Sequence, residues 1–296
     1  MCVGTRVSLH AMDAIRRFHK PSLRRPRALI AFEGWNDACD AASGAATFAL
    51  GHYGVEEPFA VIEPDEFFDF QAHRPRVSIG SGGTRQLAWP TTKFYAVPVP
   101  DDARDLVVVI GEEPSYRWKT FSRHITRVLS ETGVEEAVLL GAFIGEVAHT
   151  LPVPIIGVAT DPSRVYDFGL MTSTYEGPTG IVGVLQEACR EEGMPAMSLW
   201  AATPHYLAAN PNPKAALALT KMAAKVLRLP LDTTELETVS AEFDERIAEA
   251  LAESDELADY VAGLEDDDEV IEDEDLDPDL SDDLVTEIED YLRDQG

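Results

Sequence analysis

Acidic side chains directly follow two apolar runs that have the length of buried strands, residues 28–32 and 106–110. After the first run come Glu33, Gly34, Trp35 and Asp37, and after the second come Glu112 and Glu113. Neighbouring carboxylates can raise the pKa of one partner, as general acid and base catalysis requires. The ends of parallel strands share one edge of a sheet, where α/β proteins bind ligands. The sequence therefore predicts a candidate pocket at that edge.

The same residue types also have structural interpretations, which we favour. Asn36 or Asp37 is suited to cap a following helix, because its side chain accepts hydrogen bonds from free backbone N–H groups. One of the paired glutamates would cap a helix that begins near Arg117, and the other would face water. We expect Trp35 to pack in the core rather than to form a pocket wall, because tryptophan is usually largely buried.

Two further loops carry polar side chains after or before predicted elements. His149 and Thr150 lie in a glycine-bounded loop, residues 141–152, after a predicted strand. Glu176 and Thr179 precede a predicted helix whose glycines could expose its N-terminus to an anion. The glycines could equally serve to pack that helix on the sheet, and a lone histidine is more often structural than catalytic. These four residues complete the candidate pocket.

Motifs for cofactors and nucleophiles are absent from the sequence. It contains no G-x-G-x-x-G, G-x-x-x-x-G-K-[ST], H-E-x-x-H or G-x-S-x-G pattern. We therefore predict no cofactor and no metal. Its three cysteines, Cys2, Cys39 and Cys189, are too scattered for a disulfide framework, which favours a cytoplasmic location.

Charge is concentrated at the C-terminal end of the 296-residue chain. The sequence has 24 Lys and Arg against 53 Asp and Glu, a net charge of −29. Residues 241–296 hold 25 of the acidic and only 2 of the basic residues. Such a field repels phosphate backbones and anionic lipid, so we expect neither nucleic acid nor a membrane as partner. No apolar stretch is long enough to span a bilayer.

Apolar runs alternate with helical patterns along most of the chain. This alternation predicts an α/β fold with a mixed, mostly parallel sheet covered on both sides. Between residues 67 and 99 the pattern changes to β-favouring, turn-rich sequence, with glycines at 82 and 83. We interpret that region as an antiparallel hairpin inserted into the fold.

Composition divides the chain into four parts. Residues 1–26 are predicted to be a flexible basic arm, residues 27–230 the α/β sandwich domain and residues 231–264 a C-terminal helical segment. Residues 265–296 are expected to be an acidic, largely disordered tail, too acidic to bury a core. Apolar residues at 284, 288, 291 and 292 could form a short helix at its end.

The helical segment carries an apolar stripe at heptad spacing. A stripe of this length can form the seam of a homo-oligomeric coiled coil. The candidate seam residues are Leu236, Phe243, Ile247, Leu257, Val261 and Leu264. An antiparallel helical hairpin packed on the body of the same chain explains the stripe equally well.

Six strings in a fixed order carry a resemblance to a known family. They are AFEGWNDACDAASGA from Ala31, DFQAHRP from Asp69, GEEPSYRWKTF from Gly111, AHTLPVP from Ala148, YEGPTGIVGVL from Tyr175 and LWAATPHYLAANPNPKAA from Leu199. Together they resemble the actinobacterial branch of the proteasome assembly chaperone 2 family, over residues 27–264. The resemblance implies a three-layer α/β/α sandwich of the phosphorylase and hydrolase type, with a small C-terminal helical part.

Two functions remain open at this point. The resemblance implies a non-catalytic assembly-chaperone-like or protein-interaction protein, linked to the proteasome system or to another protein partner. The alternative is an enzyme that acts on a small polar molecule, of nucleoside or amide type, at the carboxyl ends of the strands. The first is favoured, because no complete catalytic constellation is visible.

Overall fold

The computed structural model describes residues 14–80, 82–100, 102–208, 211–252 and 255–265, without the side chains of residues 255–257. Eleven strands are present in these ranges. They are β1 Ile15–Arg17, β2 Arg27–Glu33, β3 Ala60–Ile62, β4 Arg76–Ile79, β5 Arg85–Ala88, β6 Thr92–Val97, β7 Leu106–Glu112, β8 Ala137–Gly145, β9 Ile155–Ala159, β10 Met171–Thr172 and β11 Ala196–Pro204. Nine of these strands form one sheet.

The strand order of this sheet is β1-β3-β6-β7-β2-β8-β11-β9-β10. Its four central strands, β7, β2, β8 and β11, are parallel to one another. Antiparallel pairing begins outside them, at β6 on one side and β9 on the other. Because β2, β7, β8 and β11 are parallel, their carboxyl ends meet at one edge, called the carboxyl edge below. The predicted α/β class with a mixed sheet is confirmed.

Helices cover both faces of the sheet. The described helices are α1 Ala41–His52, α2 Trp118–Thr132, α3 Ser163–Asp167, α4 Ile181–Glu191, α5 Pro213–Leu227, α6 Thr234–Leu251 and α7 Asp255–Glu265. Helices α1 and α5 bury alanines and leucines against one face. Helices α2 and α4 bury Phe121, Ile125 and Leu185 against the other. The sequence therefore folds into the predicted three-layer sandwich, since both faces of each central strand are apolar.

The predicted hairpin is confirmed as strands β4 and β5. They pair with each other in a separate two-stranded sheet, and every residue of both strands is exposed. The hairpin, called the ribbon below, leaves the body after β3 and returns into β6. Ile62 and Thr92, which flank this excursion, pair with each other at the carboxyl edge.

The flexible arm predicted over residues 1–26 is wrong for residues 14–26, and the rest of it lies outside the described ranges. Strand β1 pairs with β3, and Ile15 is buried there. Arginines of this segment find acidic partners on the body, as in the Arg24–Asp105 pair at 2.6 Å. Paired charges and one apolar anchor hold a segment whose composition alone suggested looseness.

The apolar stripe of the C-terminal segment packs within the chain. Phe243, Ile247 and Val261 are buried in a small cluster with Tyr206 and Leu207, and Leu264 packs against its margin. Leu236 is only partly buried, and Leu257 belongs to α7 but its side chain is outside the described set. The helical alternative, in which the stripe packs on its own body, accounts for these contacts. Residues 266–296, including the predicted terminal helix, lie outside the described ranges.

Within the part of the chain that the structure describes, no helix is both long and apolar enough to cross a membrane.

Candidate functional site

A cavity of about 770 Å³ opens at the carboxyl edge, between β2, β8, β9, β11 and the N-terminal half of α4. Its lining is mainly apolar and aromatic. Residues that shape it include Trp35, Phe143, Val158, Tyr175, Thr179 and Trp200. Ligand sites of small molecules and apolar peptide side chains are concave and apolar in this way, with few polar groups.

Only three of the predicted pocket residues line this cavity, namely Gly34, Trp35 and Thr179. Glu33, Asp37, Glu112 and Glu113 stand beside it at the same edge. Asp37, Glu112 and Glu113 have side-chain hydrogen-bond partners within the protein. His149 and Thr150 lie beyond the end of β8, toward the C-terminal helices, and Glu176 is exposed to solvent. The predicted carboxylates therefore lie together at the carboxyl edge, whereas the cavity beside them is lined mainly by apolar and aromatic side chains.

Trp35 forms a wall of the cavity, and the expectation that it packs in the core is wrong. Its side chain is 60% exposed. It follows Gly34, whose φ of +114° is a backbone conformation that only glycine adopts easily. The turn therefore directs the chain outward at the strand end, and the indole ring projects at the rim instead of entering the core.

Glu113 caps a helix, although not the helix that the sequence suggested. Its carboxylate accepts hydrogen bonds from the backbone N–H of Ile181 at 2.8 Å and from the Asn36 amide at 2.7 Å. Glu113 thus provides a hydrogen-bond acceptor for the first backbone N–H group of α4. Helix α2, in contrast, begins after Arg117, which has a left-handed backbone conformation and provides no side-chain cap. Asn36 is fully buried and lies against Gly180, where a Cβ would collide with it. The turn after β2 and the start of α4 are therefore locked together.

Asp37 caps α1, as one of the two predicted alternatives had it. Its Oδ1 accepts from the backbone N–H groups of Ala42 at 2.7 Å and Ser43 at 3.0 Å. Burial raises the pKa of this carboxyl above its usual range. The side chain is committed to the helix terminus and is 6% exposed, so it offers no free acid to the cavity.

Glu33 and Glu112 are register partners at the ends of β2 and β7. Glu33 is exposed at the strand end, but partial desolvation of its carboxyl raises its pKa, and the nearby Glu112 and Asp37 carboxylates raise it further. Glu112 in turn contacts His73, with 3.0 Å between Oε2 and Nδ1. The two carboxylates, Glu33 and Glu112, resemble the neighbouring acids that the sequence predicted for acid and base chemistry. Neither of them lines the cavity.

His149 connects the body to the C-terminal helices. Its backbone N–H donates to the Tyr206 hydroxyl at 2.8 Å, and its Nδ1 lies 2.9 Å from the same oxygen. Burial lowers the pKa of His149, and nearby Lys214 lowers it further. The Thr150 hydroxyl donates to Glu265 at 2.6 Å. Thr150 thus contacts α7, and His149 contacts Tyr206 of the small cluster that includes Phe243 and Val261. Neither residue lines the cavity.

Trp200 lines the cavity, and its strand neighbour Gly141 carries a signal that the sequence predictions did not use. Residues 141–145, predicted as loop, continue strand β8, and Gly141 is the register partner of Trp200 on β11. A Cβ at Gly141 would collide with the Trp200 ring. A glycine inside an apolar strand often marks such a close approach. Here it gives the indole room to lie across the sheet and form the cavity wall.

Nucleophilic and metal-binding groups are not assembled in the described part of the chain. Cys39 touches the cavity, but burial raises the pKa of its thiol to about 11. Burial also raises the pKa of Cys189 to about 12. Among the described residues, no three His, Cys, Asp or Glu side chains are grouped to hold a metal ion. The arrangement suits retention of an apolar or aromatic group.

Comparison with known proteins decides the family. A sequence profile of the PAC2 family matches residues 31–251. The chain belongs to the PAC2 family. The family resemblance of its motifs is thereby confirmed.

Solved structures of the PAC2 family have the same fold. A PAC2 family protein from Streptomyces avermitilis is 44% identical, with a TM-score of 0.74 over 80% of this chain and 99% of the other. A proteasome-assembly chaperone homologue from Mycobacterium tuberculosis is 39% identical, with a TM-score of 0.73 over 79% of this chain and 99% of the other.

A more distant structure shares the fold alone. It is an archaeal proteasome activator from Pyrococcus furiosus, 20% identical, with a TM-score of 0.61 over 79% of this chain and 97% of the other. The search of curated proteins gives no match.

Proposed function

We propose that this PAC2 family protein is a non-catalytic, assembly-chaperone-like protein that acts by binding other proteins. Family membership supports the proposal, as does the 39% identity to a proteasome-assembly chaperone homologue. A partner connected with proteasome assembly is the specific form of this proposal. A cytoplasmic site of action is part of it, in keeping with two buried free thiols at Cys39 and Cys189.

The observation that carries the proposal is the use of the edge carboxylates. Glu113 and Asp37 hold helix termini, so they stabilise the frame of the cavity instead of presenting acids to a substrate. Trp35 and Tyr175 are exposed at the cavity rim. Exposed aromatic side chains beside an apolar cavity are typical of a surface that receives apolar side chains of a protein partner.

We expect the chain to change the rate at which a bacterial proteasome assembles from separately purified subunits. With mycobacterial subunits and stoichiometric chain, native gels should show at least a twofold change in the rate of particle formation. Trp35→Glu should remove the effect, because a charge at the cavity rim opposes burial of an apolar partner group.

Phe18→Glu is the matched control for this assay. Phe18 is also an exposed aromatic residue, but it follows β1, which is the outermost strand on the side of the sheet away from the cavity. This variant should behave like the parent chain. The proposal fails if assembly is unaffected by the parent chain, or if both variants lose the effect equally. Turnover of a nucleoside or amide compound that is lost in Glu112→Gln would support the enzyme alternative instead.

We further propose that the chain forms a homo-oligomer through the outer end of its sheet. The seam residues Phe243, Ile247 and Val261 already pack within the chain, so another surface must serve. Strand β10 is the last strand of the sheet, and Met171 within it and the nearby Tyr166 are exposed. A short, apolar sheet edge of this kind is suited to pairing with a second copy.

Size-exclusion chromatography with light scattering should therefore give a multiple of 32.4 kDa. Tyr166→Glu combined with Met171→Glu should return the mass to that of one chain, because two charges would be buried in the contact. Phe18→Glu, beside the opposite outer strand, should leave the mass unchanged. A single-chain mass for the parent protein at micromolar concentration would refute the oligomer.

A further inference from the structure

The β4–β5 ribbon has an apolar face that nothing in the described structure covers. Val77 and Leu87 are opposite each other in the register, and Ile79 lies two residues along the same face. Their exposed fractions are 55, 61 and 74%. Three large apolar side chains held side by side at this exposure mark a docking surface.

The ribbon is also cationic in a strongly acidic protein. Residues 74–89 contain three arginines and no acidic residue, whereas the whole chain has a net charge of −29. Arg85 is the register partner of Ile79, which places its guanidinium on the apolar face. Among the described residues none of the three arginines forms a salt bridge. Arg76 lies on the opposite face of its strand, so Arg85 is the strand arginine that an acidic group would meet on the apolar face. The surface therefore suits a partner that is apolar and carries carboxylates.

The same chain contains a segment of this chemistry. Residues 281–292 include five acidic residues and no basic one. Leu284, Ile288 and Leu292 recur among them at intervals of four, the spacing that aligns side chains along one side of a helix. An apolar stripe bordered by carboxylates is complementary to the ribbon face in both hydrophobicity and charge.

We propose that residues 281–292 dock on the apolar face of the ribbon of the same chain. The apolar stripe of this C-terminal segment would cover Val77, Ile79 and Leu87, and its carboxylates would face Arg85. This docking is independent of the function proposed above, since it uses neither the cavity nor the outer end of the sheet.

The chain leaves the described structure at the edge from which the ribbon projects. The ribbon is flanked by Ile62 and Thr92 at the carboxyl edge, and Glu265 is held there by Thr150 beyond the end of β8. Four strand spacings of about 4.8 Å separate β3 from β8, which is roughly 19 Å. Nineteen residue steps lead from Glu265 to Leu284, and a chain of that length reaches at most roughly 63 Å when fully extended. The intervening residues are therefore long enough to bring the segment to the ribbon.

Tethering favours the segment of the same chain over a second copy. Covalent attachment within reach of the docking surface gives the segment an effective concentration on the order of 1 mM there. A second copy at micromolar concentration would have to bind about a thousandfold more tightly to compete. The occupant is therefore intramolecular.

Disulfide trapping in the full-length chain tests this docking. Ile288→Cys is combined with Val77→Cys on the apolar face, or with Ser78→Cys on the opposite face of the same strand. Cys2 is replaced by Ser, while Cys39 and Cys189 stay, because both are buried thiols of raised pKa. Under oxidised glutathione the Val77 pair should close at least tenfold faster than the Ser78 pair, and the product should be a monomer.

Adding Arg85→Glu should slow closure of the Val77 pair several-fold and leave the Ser78 pair unchanged. Equal closure rates on the two faces would mean random tethered collision and would overturn the proposal. A disulfide-linked dimer would also overturn it and assign the face to a second copy. Failure of both pairs to close would exclude docking on this surface.

Discussion

Replacement of Arg27 by methionine should lower the free energy of unfolding by about 4 kcal/mol. Arg27 begins the central strand β2, and its guanidinium is almost fully buried. It donates to the backbone carbonyls of Leu227 and Arg228 at the end of α5 and pairs with the Asp102 carboxylate. Methionine fills similar space but leaves these acceptors without a donor, and removal of one partner of a buried pair costs about 3–5 kcal/mol. Urea unfolding followed by circular dichroism measures the loss.

Arg25→Met is the matched control for this substitution. Arg25 lies two residues earlier and also pairs with a carboxylate, Glu135, but its side chain is 68% exposed. Solvent and salt screen an exposed pair, so its loss costs little and this variant should unfold close to the parent midpoint. Arg27→Lys should fall between the two, because it keeps the charge but loses the second donor group. A loss in Arg27→Met no larger than in Arg25→Met would refute the structural role of the buried guanidinium.

Replacement of Glu113 by alanine should lower the free energy of unfolding by about 3 kcal/mol. Its carboxylate accepts from the buried Asn36 amide and from the first backbone N–H of α4, and both donors would lose their partner. Hydrogen bonds to a charged group contribute about 1.5–3 kcal/mol, and an unsatisfied buried amide adds its own penalty. Chemical unfolding at neutral pH measures this effect.

Glu112→Ala provides the control, because it removes the adjacent carboxylate in the sequence. The Glu112 side chain is partly exposed and contacts His73 at the surface of the edge. Its loss should cost less than about 1 kcal/mol. Glu113→Gln, which retains an acceptor oxygen, should cost less than Glu113→Ala. The assignment of roles within the pair fails if the Glu112 and Glu113 alanine variants are equally destabilised.

The layers of the fold could be predicted because they depend on local patterns. Runs such as residues 106–110 are apolar on both faces, which indicates a strand between two helical layers. The place of β1 could not be predicted in this way. Residues 15–17 read IRR, and only pairing with β3 and distant acidic partners such as Glu131 give that short basic stretch its place. Long-range ion pairs leave no periodic signal in a sequence.

The sequence predicted where the candidate site lies, at the carboxyl ends of the strands, but it did not predict most of the residues that line the cavity. Chemistry-bearing residue types directed attention to Glu112, Glu113 and His149, which meet backbone and side-chain partners of the fold instead. The cavity wall depends on Trp200 and on the absence of a side chain at Gly141. Their contact requires the register of β8 and β11, two strands more than fifty residues apart in the sequence. Register of this kind follows from the whole sheet.

At the carboxyl edge, the residues that stabilise the fold differ from the residues exposed at the cavity rim, and this separation affects which substitutions the protein can accept. The groups that hold the edge together, Glu113, Asn36 and Asp37, are buried or engaged in caps, whereas Trp35 and Tyr175 stand exposed on the cavity rim. Substitutions at exposed positions usually change stability by less than about 0.5 kcal/mol. The rim can therefore drift through many side chains without loss of the fold. Changes at the rim can therefore alter what this surface binds while the capped frame beneath it is kept.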